Sequence, residues 1–317
     1  MSIDDPRFAG GPTLRTAPPP ELLNRNAAKT SLSPALEVAV SVLQEAVNYA
    51  LCRFKECAPM ASESDYHLAI LLPFRHLIDL VDGVQVLVAE VSAANARLQL
   101  RAAFETVMTL SYITAEDSIR RSYAYLVGNA LTQIGNLRRL QRAATLPGPA
   151  QVLEGPIANI IGALARPGWR EAHEAFTATK QHVEKYRGRR MPQNWWPHWY
   201  SLYGGPKDLF GLAECLKAPH PYEYDLLYRH WSEATHGTDV TWQWQFVGEH
   251  GLRFRPLRSA QHFSPSVTFA VDFLLRGMKA VLTHYGLRQQ VSDVDRWSGA
   301  CLHPALKYLG EHLPETP

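Results

Sequence analysis

The stretch from Leu68 to Val91, LAILLPFRHLIDLVDGVQVLVAEV, is the most apolar in the chain and decides what fold is built around it. Its length suits a membrane span, but Arg75, His76, Asp79, Asp82 and Glu90 interrupt it. A span needs roughly 20 residues with almost no charge. A helix buried in a protein core fits better, kinked at Pro73. No membrane is expected as a partner.

Outward from that stretch the spacing is helical in both directions. Ser33-Pro34 supplies a cap and a first-turn proline, and Leu36, Val40, Leu43, Val47 and Leu51 recur at helical intervals, giving a helix over 33–57. Ser62, with Glu63 and Asp65 in the following turn, starts the helix that continues through Val91. A third runs over 92–112. Thr114 with Asp117 resembles a capping box and opens a long fourth helix to about Ala144, stopped by Pro147-Gly148. Beyond a Gly/Pro-punctuated stretch, Trp169, His173, Phe176, Lys180 and Val183 mark a helix ending near Tyr186-Arg187-Gly188. Further helices are expected at 206–217, at 221–236 and from Ser264-Pro265 to Gly286, with a short helical tail over 292–313. Trp242–Val247 and Leu252–Phe254 flank the turn 248–251 and read as two short strands. The fold class is therefore all-α, a multi-helix bundle with a small β-hairpin insertion near 241–257. One helical domain over 31–317 is expected, after a flexible lead-in at 1–30, with a seam near 146–168.

Composition narrows the function classes. The 317 residues are 46% hydrophobic and 20% charged, a globular mixture, and 32 basic against 30 acidic residues leave only +2. No whole-protein field calls for nucleic acid or anionic lipid. Residues 1–26 carry Asp4, Asp5 and Pro18-Pro19-Pro20, without the basic start and apolar run of a secretory signal. Cys52, Cys57, Cys215 and Cys301 form no Cys-x-x-Cys pair and read as reduced thiols of a cytoplasmic protein.

The segment with chemical promise is Tyr228-Arg-His-Trp-Ser-Glu-Ala-Thr-His236-Gly237. On an α-helix seven residues turn about 700°, so Arg229 and His236 share a face about 10 Å apart, with Glu233 between them. In the last turn before Gly237, the negative end of the helix dipole favours imidazolium at His236. A histidine exchanging protons near neutrality beside a guanidinium suits acid/base chemistry at a phosphodiester and needs no metal or other cofactor. Glu233 can equally make ion pairs along the helix surface, with His236 as an ordinary helix-end residue.

Arg101-Ala-Ala-Phe-Glu105 ahead of Tyr112-Ile113, the Trp-rich turn Trp195–Trp199, and Tyr224, Tyr228-Arg229, Ser232 and His236-Gly237 resemble an uncharacterised family of bacterial helical proteins. That family is a domain of unknown function with an Arg-x-x-x-Glu helix followed by Tyr-x-x-x-Ser-x-x-x-His. The resemblance spans roughly 70–285 and implies a helical fold and a shared site, without supplying a reaction. More remotely, Arg229, the polar His230 and His236 resemble the HEPN superfamily, whose ribonuclease members carry Arg, a polar residue and His along a helix. That resemblance implies a homodimer pairing these helices around an RNA phosphate, with His236 acting on the 2′-hydroxyl and Arg229 on the phosphate.

Supporting residues stay open between two roles. Arg101 and Glu105 sit one turn apart on an apolar helix; Glu105 either orients the Arg229/His236 pair or only neutralises Arg101. Trp195, Trp196 and Trp199 with Arg189 and Arg190 either form a stacking platform for single-stranded RNA or pack a loop onto the bundle. Glu233-x-x-His236 also matches half of a di-iron spacing, but its second half is absent; Glu63/His67 and His76/Asp79 are imperfect substitutes. No Gly-x-Ser-x-Gly elbow and no phosphate-binding glycine loop occurs.

Two expectations follow. One is a metal-independent endoribonuclease or toxin-like RNA cleaver of the kind used in bacterial defence, using Arg229 and His236 supported by Glu105, Ser232 and Glu233, with Arg101 and Tyr228 contacting substrate. The other is a non-catalytic helical interaction or sensor protein with a protein partner, in which the same cluster locks helices together.

Overall fold

The computed structural model describes residues 18–143, 152–192, 194–235, 243–247, 251–259 and 262–313. Within them the architecture is an all-α bundle with one antiparallel hairpin. Helix α1 is Arg25–Ser31, inside the stretch expected as lead-in, and is capped by the Asn24 side chain, which accepts from Ala27 N at 2.9 Å. Helix α2 spans Ser33–Cys57, α3 Leu68–Ala89, α4 Arg97–Ala115 and α5 Ser118–Ala143. Then come α6 at Glu154–Ala163, α7 at Trp169–Arg187, α8 at Leu209–Leu216 and α9 at His220–Glu223. A π-helical turn, Tyr224–Tyr228, joins α9 to α10 at Arg229–Thr235. Strand β1, Trp244–Val247, pairs antiparallel with β2, Gly251–Phe254, setting Trp244 opposite Phe254. Helix α11 is Phe263–His284, α12 Arg288–Trp297 and α13 His303–His312.

Helix α3 is the centre of the main core. Phe74, Leu77, Ile78, Val81, Val84 and Val88 are buried, whereas Arg75, His76, Asp79 and Asp82 fall on the one exposed strip. The charges that interrupt the apolar run thus mark a single solvent-facing edge of a helix packed by α2, α4 and α11. Pro73 lies in the second turn and forgoes the bond to the Ala69 carbonyl while α3 continues through it. Val91 adopts the left-handed φ of 52°, and Ser92 N donates to Leu87 O at 2.8 Å, which ends α3 ahead of the expected Val91 boundary. Helix α2 is also long and apolar enough to cross a membrane by length and composition. Here its stripe Leu36, Ala39, Leu43, Ala46, Val47 and Ala50 is buried against the bundle.

A second, smaller core joins α5 to α6 and α7 through Val127, Leu131, Ile134, Leu164 and Phe176. Helix α6 forms within the Gly/Pro-punctuated stretch because Pro156 sits in its first turn, where a missing N–H costs no helical bond.

Gly277 of α11 is where the central helices come closest. A Cβ there would run into the Leu77 Cδ2 methyl and stand 3.3 Å from Leu110 Cδ1, and both leucines are fully buried. Gly277→Ala is therefore expected to destabilise by about 1–3 kcal/mol despite alanine's better helix propensity. Chemical denaturation checks this, and a more stable variant would contradict the packing described.

Candidate functional site

Helix α4 presents Arg97, Arg101 and Glu105 at successive four-residue intervals, so their side chains form one row along the helix. That row faces α10 and the π turn. Arg97 is only 5% exposed; its Nε donates to Ala94 O at 2.9 Å, and its Nη1 lies 3.5 Å from His230 Nε2. Arg101 Nη2 donates to the Tyr228 hydroxyl at 2.9 Å, and the same guanidinium lies 4.9 Å from the Tyr228 ring centroid. Glu105 Oε1 is 3.5 Å from Arg101 Nε, and its side chain is 42% exposed. Burial pushes the Tyr228 hydroxyl up from its ordinary pKa, while the Arg101 hydrogen bond opposes the rise. The phenol is thus held protonated between a cation and a carboxylate, with the carboxylate edge open to solvent.

The π turn places Tyr228 in this row. Arg229 N donates to Tyr224 O, five residues back, widening the helix by one residue before α10 resumes. Tyr228 stacks on Tyr224 at 5.0 Å and meets the buried Phe104 at a tilt at 5.9 Å, which fixes its ring over α4. Ser232, one turn on, donates back to Tyr228 O at 2.7 Å, so its hydroxyl is turned along its own helix.

The residues singled out by spacing are thus distributed unevenly. Arg101, Glu105 and Tyr228 are brought together, with Ser232 one turn away. Arg229 stands apart: its side chain is 65% exposed, its Nε pairs with Asp225 at 3.1 Å, and it lies over the Tyr224 ring at 5.7 Å. Glu105 meets Arg101 and Tyr228, not Arg229. Glu233 belongs to α10, and His236 lies outside the described residues. Trp196 and Trp199 belong to the second core region: Phe176 meets Trp196 edge-on at 6.3 Å with Lys180 Nζ 4.6 Å over the ring, and Tyr125 meets Trp199 at 5.3 Å. Trp195 is half-buried, and Arg189 and Arg190 are exposed. These residues stand on elements other than the α4–α10 seam.

A second polar cluster adjoins the first turn before the π segment and carries no signal in the motifs. Glu223, 8% exposed, receives two hydrogen bonds from Arg276 of α11, at 2.8 and 3.0 Å, and Arg276 also pairs with Asp272 at 2.8 Å. Burial raises the Glu223 carboxyl above its usual range, with Arg276 opposing. Burial, reinforced by Arg276, lowers the neighbouring His220 to about 4. His220 is neutral at pH 7. Arg97 and this trio could have been suspected only from charged residues in otherwise apolar helical stripes. Among the described residues no three His, Cys, Asp or Glu side chains converge as metal ligands would.

Fold and seam define a helical-bundle protein with a polar, arginine-lined site between two helices. The chain belongs to a family of unknown function, DUF5677, whose model matches residues 67–251, more than half of its length. The match takes in the whole described seam, from Arg97 to Ser232. It gives no reaction and no link to the HEPN superfamily. No curated protein and no solved structure matches the chain.

Proposed function

We propose that the α4–α10 seam is the site of a HEPN-like, metal-independent endoribonuclease. The observation that supports this most is the meeting of Arg101, Glu105 and the Tyr228 hydroxyl at a half-open edge beside a π turn, an irregularity that recurs at functional sites. In this reading Arg101 holds a phosphate oxygen, and Arg229, exposed one residue along, contacts a neighbouring phosphate by exchanging its Asp225 partner. His236, four residues beyond Ser232 in sequence, takes the proton of the ribose 2′-hydroxyl. The 2′-oxygen then attacks phosphorus, the bond to the 5′-oxygen breaks, and that oxygen takes a proton from solvent water as it leaves, yielding a 2′,3′-cyclic phosphate and a 5′-hydroxyl. Glu105 and Tyr228 keep Arg101 oriented. A homodimer belongs to this reading and is measurable by light scattering.

Wild type, His236→Ala and Glu105→Gln are to be incubated with structured and single-stranded RNA in EDTA, alongside melting curves. Cleavage by wild type is expected, with His236→Ala slower by about 100-fold or more at matched melting. Wild type that leaves every RNA intact, or a His236→Ala variant as active as wild type, overturns it.

A second reading has its own observation. Arg101 both stacks on and hydrogen-bonds Tyr228 while pairing with Glu105, a closed set of contacts that locks α4 to the π turn. On that reading the protein is a non-catalytic interaction module, and Arg101→Ala lowers stability without any RNA-dependent readout.

A further inference from the structure

A hollow in the smaller core lies between α5, α6, α7 and the Trp195–Trp199 stretch, away from the α4–α10 seam. Its volume is about 550 Å³, within the range of small-molecule sites, commonly about 300–1,000 Å³. Leu131, Ile134 and Leu164, all nearly buried, line it together with Trp196. At its mouth stand Arg138 and Arg142, one helical turn apart on α5, with His173 and Asn194 on the facing walls. Among the described residues no carboxylate lines the hollow. Among the described residues neither guanidinium is paired with an acid: Arg142 Nε donates to the Arg138 carbonyl of its own helix, whereas Arg139 beside them donates to Asn136.

Gly135 supplies an independent observation. It sits in the interior of α5, where glycine weakens a helix relative to alanine, yet its φ is ordinary and the nearest atom to an added Cβ would be Asn194 Cβ at 3.9 Å. Neither backbone conformation nor close packing calls for glycine there. What its missing side chain leaves is room in the hollow, which Gly135 lines.

We propose that this hollow binds a small amphipathic anion, its apolar body lying on Leu131, Ile134 and Leu164 and its anionic head held by Arg138 and Arg142. Two adjacent guanidiniums over an apolar floor without a competing carboxylate match an anionic head better than a neutral or cationic one. The site is independent of the ribonuclease reading, since no residue of the seam takes part.

The test uses full-length protein and 8-anilinonaphthalene-1-sulfonate, an apolar body bearing one sulfonate, with the uncharged N-phenyl-1-naphthylamine as its partner probe. Saturable fluorescence from one site per chain is expected for the sulfonate. Arg138→Gln/Arg142→Gln, both exposed and harmless to folding, should weaken it by about tenfold or more and leave the uncharged probe unaffected. Gly135→Leu should abolish binding of both probes at an unchanged melting temperature. Decanoate and decyl phosphate as competitors separate a carboxylate head from a phosphate head, whereas decanol should not compete. Absence of saturable binding, equal binding of the two probes, or retention of binding in the arginine double variant overturns the proposal.

Discussion

Phe104→Ala is expected to lower the unfolding free energy by about 3–5 kcal/mol and the melting temperature by roughly 5–8 °C, the cost of emptying a fully buried aromatic position. Phe104 is completely buried on α4, between Phe273 of α11 at 5.9 Å, Tyr228 of the π turn at 5.9 Å and His220 at 6.3 Å. No single neighbour can collapse into the space, since each is held elsewhere: Tyr228 by Arg101, and Phe273 by Trp231 and Phe269. The Tyr228 ring loses its support, so the variant should also bind less tightly anything that uses the seam. Urea titration measures the first effect. Phe104→Leu, which refills most of the volume, should cost much less, about 1–1.5 kcal/mol. Equal losses for the two substitutions would mean that volume at this position is not what holds α4 to the π turn.

Arg276→Leu should cost about 3–5 kcal/mol at pH 7, because it leaves the Glu223 carboxylate buried without its cation. The deficit should depend on pH, and its direction is fixed. Burial already raises Glu223, and loss of the guanidinium removes the influence that lowers it. A carboxyl whose folded pKa lies above its unfolded value contributes stability below the unfolded pKa and loses it as pH rises through the folded one. The variant therefore suffers most at neutral pH and recovers as the solution is acidified toward the ordinary carboxylate range. His220 moves the same way, since Arg276 is one cause of its depressed pKa, and once protonated it can pair with Glu223, 3.7 Å away. Denaturation curves for wild type and variant between pH 7 and pH 5 give the difference directly. A deficit independent of pH would mean that Glu223 is neutral in the native protein throughout.

Where local rules decide, the elements follow from the residues alone. The bounds of α2 agree with its apolar spacing, and Trp244–Val247 pairs with Gly251–Phe254 close to where the two strands are expected. The all-α class is legible because each long helix buries one stripe and sheds its charges on the opposite side, as α3 does. Where one residue overrides the pattern, the boundary moves: Val91 turns left-handed and closes α3 early. The candidate site was legible as a set of residues and not as an arrangement. Helical spacing shows that Arg101 and Glu105 share a face, and says nothing about which residue of another helix they meet. That partner is Tyr228 and not Arg229, one residue or about 100° away on a helix, because the backbone widens just before α10. No composition rule signals a π turn, so a uniform 3.6-residue count through 221–236 misplaces the face.

The widened turn also has a meaning for how the chain can change over time. A π turn is what a helix becomes when it absorbs one extra residue. Deleting one of Asp225, Leu226 or Leu227 would restore an unbroken α-helix and leave the flanking turns facing much as they do now, because the widened turn already takes up the extra residue. The Glu223–Arg276 pair and the Tyr228–Arg101 contact sit on opposite sides of that point, so a chain shortened there can keep both. A relative with a single-residue gap in this turn should therefore still carry both Arg276 and Arg101, whereas a gap in one of the regular turns on either side would set the two contacts about 100° out of step.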